Sequence, residues 1–213
     1  MNKLKSVCVF CGSRHGIDPQ YTKAAEVLGQ QIARKNLTLV YGGGSVGLMG
    51  ELANSVLQEE GRVIGVIPEM LASKELLHPD VKDMRLVKDM HTRKALMSQL
   101  SDAFIALPGG FGTLEEILEV ITWAQLGFHR KPIGILNVNS YYDPLNQLID
   151  RAIEEDFIDS EYRHLVLVEE KVDKILDRLI HHQFPIVTNG LKSAAIETSS
   201  AKNENLSRSK RGK

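Results

Sequence analysis

Cysteine, tryptophan, net charge and long apolar runs are all scarce in this sequence, and each shortage removes a class of protein. Only two of the 213 residues are cysteine, too few for the disulfide framework of a small secreted domain. They stand as Cys8 and Cys11 within one apolar, strand-like run, Val7-Cys8-Val9-Phe10-Cys11. Residues three apart on a strand point to opposite faces, which disfavours a disulfide between them. Core or near-pocket thiols of a cytosolic protein are expected, rather than a redox or metal C-x-x-C. No apolar run approaches the roughly 20 residues of a membrane span, so no membrane partner is expected. Met1-Asn2-Lys3 leads almost directly into strand-like sequence, with no signal or transit peptide in view. The formal net charge is −1, but six basic and only two acidic residues fall in 186–213, so a +4 tail follows a −5 body. A mildly acidic body argues against nucleic acid as the main partner. No clear metal-ligand cluster appears.

What is present is ordinary for a globular chain: 43% hydrophobic and 25% charged residues, enough for one α/β domain with a substantial core. Strand-like runs fall at Ser6–Cys11, Leu37–Tyr41, Arg62–Ile67, Met84–Val87, Asp102–Leu107, Ile133–Val138 and Leu165–Val168. Helical patterns fall at about 19–35, 47–60, 90–100, 113–126, 143–155 and 171–182. Near-continuous apolar strands separated by helices predict a doubly wound, Rossmann-like α/β domain over residues 1–185. Its mostly parallel sheet of about seven strands would carry helices on both faces, with ligands at the strands' carboxyl ends. The stretch Pro68–Asp83 lacks periodicity and reads as a loop, with Glu69, Lys74, Glu75 and His78 available to a ligand. Residues 186–213 read as a disordered basic tail, a solvated end or a localisation patch. A cytoplasmic location is expected, with a nuclear one left open.

Two glycine-rich turns stand out. Gly42-Gly43-Gly44-Ser45-Val46-Gly47 follows the second strand, and Pro108-Gly109-Gly110-Phe111-Gly112-Thr113-Leu114-Glu115-Glu116 follows the fifth. Glycine lets backbone N–H groups approach an anion, and a helix N-terminus adds unpaired donors and about half a positive charge. A phosphorylated ligand between the two turns is one reading. Gly42, Gly44 and Gly47 also fit G-x-G-x-x-G with Glu69 downstream, which keeps a dinucleotide oxidoreductase as a rival. That fingerprint normally follows the first strand, not the second. Glycine used only for tight turns and close packing is the plainest alternative. Neither turn ends in Gly-Lys-Ser/Thr, which excludes a P-loop.

The second turn also holds carboxylates. Thr113-Leu114-Glu115-Glu116 has capping-box spacing, with Thr113 as N-cap and Glu116 at N3, and this alone would explain Glu116. Arg93 shares an apolar helical stripe with Met90, Leu96, Met97 and Leu100, while Lys94 sits at its margin. An inward guanidinium needs an anion, either a protein carboxylate or a ligand phosphate. His91, near the same sheet edge, is a further ligand contact or a plain surface residue. A pyridoxal-phosphate lysine decarboxylase is poorly supported, since no lysine sits in an evident cofactor context. No cofactor is expected.

At Asp89-Met90-His91-Thr92-Arg93-Lys94 followed by PGGFGTLEE, the sequence closely resembles the plant-type LONELY GUY family of cytokinin riboside 5′-monophosphate phosphoribohydrolases, formerly labelled lysine decarboxylases. The likeness spans about residues 5–182 and includes CVFCGS, LVYGGGSVGLMG, SDAFIALPGGFGTLEE and EVITWAQLG. The family motif PGGxGTxxE is complete, ending at Glu116, and the family's paired arginine matches Arg93. The resemblance implies hydrolysis of the N-glycosidic bond of an N6-substituted adenosine 5′-monophosphate, with Arg93 and Glu116 catalytic. It implies substrate contacts from Glu75, Arg93, Lys94, Gly110, Phe111, Gly112, Thr113, Leu114, Glu115, Glu116 and Thr122. It implies a phosphate cradle of Gly42, Gly43, Gly44, Ser45 and Thr113, and a homodimer; Trp123 and Leu126 are candidates for an interface or for the core. A non-catalytic nucleotide carrier or sensor of the same fold is the alternative.

Overall fold

The computed structural model describes residues 4–72 and 77–182. Among these, seven parallel strands form one sheet: β1 (Ser6–Phe10), β2 (Thr38–Tyr41), β3 (Arg62–Pro68), β4 (Asp83–Val87), β5 (Ala103–Ala106), β6 (Ile133–Leu136) and β7 (Val166–Glu169). Their order is β4-β3-β2-β1-β5-β6-β7. Val7 pairs with Leu39 on one side and with Ala103 on the other. The chain therefore winds outward from β1 to β4, returns to the opposite side of β1 at β5, and winds outward again. Between β1 and β5 the winding reverses, and the crevice beyond their carboxyl ends is where such sheets bind ligands.

Helices α1 (Pro19–Arg34), α2 (Gly47–Gln58) and α7 (Val172–Ile180) cover one face of the sheet. Helices α4 (Met90–Gln99), α5 (Phe111–Gln125) and α6 (Asp143–Glu154) lie toward the other. The alternation along β1 shows why both faces must be covered. Val7, Val9 and Cys11 enter the first core layer, whereas Cys8 and Phe10 enter the second. The two cysteines accordingly lie on opposite sides, buried and free, as strand geometry requires. Sequence also sets the helix starts. Asp18 accepts Gln20 N–H at 2.8 Å ahead of Pro19, and Asp89 accepts Thr92 N–H at 2.7 Å, each satisfying a donor that the helix cannot.

Two expectations need correction. The stretch 68–83 is not all loop: Pro68 ends β3, and Glu69–Ala72 forms a single helical turn, α3, too short to show a period. Helix α5 begins at Phe111 with Gly110 as N-cap and no side-chain capping bond, so Thr113 is not its N-cap and the capping-box account of Glu116 fails. The helix begins three residues earlier than a cap at Thr113 would set it. A Cβ on Gly109 would stand 2.1 Å from Thr113 Oγ1, so that glycine makes room for the threonine instead. The expected tail, 186–213, lies outside the described residues, as do Lys74 and Glu75. No helix among the described residues is long and apolar enough to cross a membrane.

Candidate active site

Three loops meet at the β1–β5 crevice. Gly12, just after β1, donates its N–H to Pro108 O at 3.0 Å and accepts Met49 N–H at 3.3 Å. This loop thus joins the two glycine turns. Around it lies a cavity of about 230 Å³, lined in part by Cys11, Gly12, Ser13, Gly42, Met49 and Met97. Arg93, Gly110, Phe111, Gly112, Thr113 and Glu116 complete its chemically active wall.

Arg93 and Glu116 form an ion pair there, Nη1 to Oε1 at 3.2 Å, with side chains only 12% and 8% exposed. Helix α4 aims the arginine inward, and its Nε donates to Val66 O at 3.0 Å, which fixes the plane of the guanidinium. Gly42 gives it space, because a Cβ at that position would lie 2.2 Å from Arg93 Nη2. The stripe expected around Arg93 is looser than its spacing suggests. Met97 is buried, Leu96 and Leu100 are half-buried, and Met90 is exposed with its sulfur 3.9 Å from Arg93 Nη1.

Burial is the largest influence on Glu116 and raises its pKa above the ordinary value near 4.5; the Arg93 guanidinium pulls in the opposite direction. A carboxylate so placed is held against charge it can stabilise, and is a stronger base than an exposed one. Beside the pair, Lys94 bridges Glu115 and Glu119, the latter at 3.0 Å. Burial alone would lower the Lys94 pKa, but the bonds to Glu115 and Glu119 outweigh it and the net direction is upward. This second bridge ties α4 to α5 and so supports the geometry of the first.

The other expected residues separate clearly. Lys94 and Glu115 adjoin the cavity without lining it, and Leu114 packs into the second core layer. Thr122 is exposed, its hydroxyl bonded to Leu118 O at 2.8 Å. Of the Gly42–Ser45 turn, Gly42 alone lines the cavity. Gly43 O accepts His78 N–H at 3.1 Å, and Gly44 bridges Leu77. Gly43, at φ +80, also clears Ile67 and Met84. These glycines thus serve close packing, at least in part. His78 is buried, with Nε2 3.1 Å from Asn54 Oδ1 and Nδ1 accepting Asp80 N–H; burial lowers its pKa. It fastens its segment to α2. His91 and Glu69 are exposed and do not line the cavity. Sequence reasoning missed Gly12, Ser13 and Met49, although a glycine directly after the first strand was a readable sign.

The chain matches the family model described as "Possible lysine decarboxylase" over residues 49–179. A cytokinin riboside 5′-monophosphate phosphoribohydrolase of Arabidopsis thaliana is 50% identical over 186 residues, covering 85% of this chain and 87% of its own. Another from the same plant is 50% identical over 178 residues, covering 84% and 83%. Among solved structures, the molybdenum cofactor carrier protein of Chlamydomonas reinhardtii has a TM-score of 0.64 at 20% identity, covering 84% of this chain and 99% of that one. Such distant identity bears on the fold alone. The match to the plant relatives spans both glycine turns, the family model covers the second turn and the Arg93–Glu116 pair, and the chain belongs to the LONELY GUY family of cytokinin riboside 5′-monophosphate phosphoribohydrolases.

Proposed function

We propose that this chain hydrolyses the bond between N9 of an N6-substituted adenine and C1′ of ribose 5-phosphate, releasing the free cytokinin base and ribose 5-phosphate. The observation that carries the reading is the buried Arg93–Glu116 pair, set in a cavity whose other wall is the start of α5. Among the described residues no side chain caps that start, so its N–H groups and dipole suit a 5′-phosphate. Gly110, Phe111, Gly112 and Thr113 supply this seat, and Gly42 faces it across the cavity. A volume of about 230 Å³ is below the ~300 Å³ of a drug-sized pocket. It suits the sugar phosphate, with the purine extending outward past the exposed ring of Phe111.

As the C1′–N9 bond breaks, its electrons leave with the purine and positive charge gathers on the ribose ring. Glu116 stabilises that charge and accepts the proton of the water that attacks C1′; that proton then passes to the departing purine nitrogen, which gives the neutral base and restores the carboxylate. Arg93 orients Glu116 and steadies the departing purine. The phosphate seat fixes C1′ against the carboxylate, which contributes effective molarity. A carrier would need the cradle but not a buried carboxylate facing the sugar.

The enzyme acts as a homodimer in the cytoplasm under this reading. Leu118, Leu126 and Phe128 leave apolar surface exposed on and just beyond α5, which suits a partner. Two unpaired, buried thiols suit a reducing compartment. Residues 1–185 would constitute the catalytic domain, with 186–213 appended to it. Incubation with isopentenyladenosine monophosphate, followed by assay of free base and ribose 5-phosphate, tests the activity. Glu116→Gln is expected to lower kcat by about a hundredfold or more with the fold retained; wild-type kcat in that variant would remove Glu116 from the chemistry.

A further inference from the structure

Four successive carbonyls of the turn into α5 each receive a hydrogen bond. Leu107 O accepts from Tyr142 Oη at 2.7 Å and Gly109 O from Tyr141 Oη at 2.5 Å. Pro108 O accepts from Gly12 N–H at 3.0 Å and Gly110 O from Leu114 N–H at 3.1 Å. A trans peptide is rigid and planar, with its C=O and N–H pointing in opposite directions, and no cis peptide interrupts the chain among the described residues. Holding one carbonyl therefore aims the N–H of the next residue. Pro108 O sets Gly109 N–H, Gly109 O sets Gly110 N–H, and Gly110 O sets Phe111 N–H. Leu107 O sets none, because Pro108 has no N–H.

Of the three anchors that aim an N–H, one differs in kind. The peptide between Gly109 and Gly110 has glycine on both sides, so its backbone has the most freedom to rotate. Its carbonyl is held by a side chain, that of Tyr141. The tyrosine is itself firmly placed after β6. Its ring meets Tyr21 and Tyr142 edge-on, at centroid distances of 5.9 and 5.0 Å. The two residues before it, Asn139 and Ser140, take φ values of +50 and +58, a conformation that costs ~1–3 kcal/mol in a non-glycine residue and persists only where the surroundings hold it. Asn139 is held by Asp18 across 2.8 Å.

We propose that Tyr141 is a positioning residue whose hydroxyl fixes the Gly109–Gly110 peptide plane, so that Gly110 N–H faces the substrate phosphate. This deepens the proposed function and rests on its placing of the phosphate at the start of α5. Tyr141→Phe keeps the ring and removes only the anchor. The test compares binding of adenosine 5′-monophosphate and adenosine, which differ only in the phosphate, by wild type, Tyr141→Phe and Tyr142→Phe. Tyr141→Phe is expected to weaken the monophosphate about fivefold to tenfold and leave adenosine unchanged, with Tm within about 2 °C of wild type. Tyr142→Phe removes a buried bond to a carbonyl that aims no donor; it should lower Tm by several degrees without a phosphate-specific effect. If Tyr141→Phe binds the monophosphate as wild type does, or weakens both ligands equally, the positioning role is overturned. If wild type itself binds the two ligands equally, the phosphate seat fails, and the inference fails with it.

Discussion

Replacing Gly42 by alanine perturbs the active pair without touching either member. The added methyl carbon would lie 2.2 Å from Arg93 Nη2 and 3.1 Å from Met49 Sδ, where ordinary contact begins near 3.4 Å. The guanidinium must therefore retreat by about 1.2 Å. Gly42 does not have a positive φ, so alanine brings no backbone strain. The clashing atom is also the end of a flexible side chain, so the fold should lose only about 1 kcal/mol, or about 2–4 °C in Tm. The site loses more. Arg93 is held at 3.0 Å from Val66 O and 3.2 Å from Glu116, and a shift above 1 Å carries it beyond hydrogen-bonding distance of at least one. Displacement on this scale costs about a hundredfold in rate, equivalent to about 2.7 kcal/mol. The assay is kcat/KM for base release from isopentenyladenosine monophosphate, measured in a double-mutant cycle with Arg93→Ala. Since the methyl group acts through Arg93, Gly42→Ala should cost nothing further once that side chain is gone. Wild-type kcat/KM in the single variant, or losses that simply add, would refute the reasoning.

The pH profile should carry the mark of Glu116. Its pKa is raised chiefly by burial, with Arg93 opposing, so the acidic limb of kcat/KM should fall above the ordinary glutamate range, and a limb at or below 4.5 would contradict this. A carboxyl with a raised folded pKa favours folding fully below its unfolded pKa, and this contribution is lost as pH rises through the folded value. Relative to Glu116→Gln, the wild type should therefore lose Tm as pH rises from the ordinary glutamate value through the raised one, as thermal melts over a pH series would record. Gly47→Ala should be far more damaging to stability than Gly42→Ala. Gly47 has φ +62, and a Cβ there would lie 2.3 Å from the backbone of Ser13 and Arg14, so a loss of about 3 kcal/mol or more is expected in urea titration. Cys8 and Cys11 are buried, and burial is the largest influence raising both thiol pKa values. A thiol reagent should leave both untouched in the native protein and modify both after denaturation.

Much of the architecture can be read along the chain because strands and long helices announce themselves by period. The seven strand-like runs correspond to β1 through β7, and the six helical patterns to the longer helices. The four-residue α3 is shorter than one useful period and left no pattern. Thr113 and Glu116 have the spacing of a capping box, yet the helix starts earlier, with Gly110 as its N-cap. A spacing of residue types is a local signal, and it does not fix where the chain enters the helix.

From sequence alone come the alternation of strand and helix, the two glycine turns at the sheet's carboxyl edge, and an arginine on an inward helical position. These are local properties, encoded within a few residues of where they act. Tertiary structure decided what the arginine meets, because Val66, Gly42 and Glu116 reach Arg93 from three different elements. It also gave the glycines their occupations: Gly42 yields to Arg93, Gly109 to Thr113 and Gly47 to the Ser13–Arg14 backbone. A missing side chain acquires meaning only from whatever fills its place, and chain segments distant in sequence determine that.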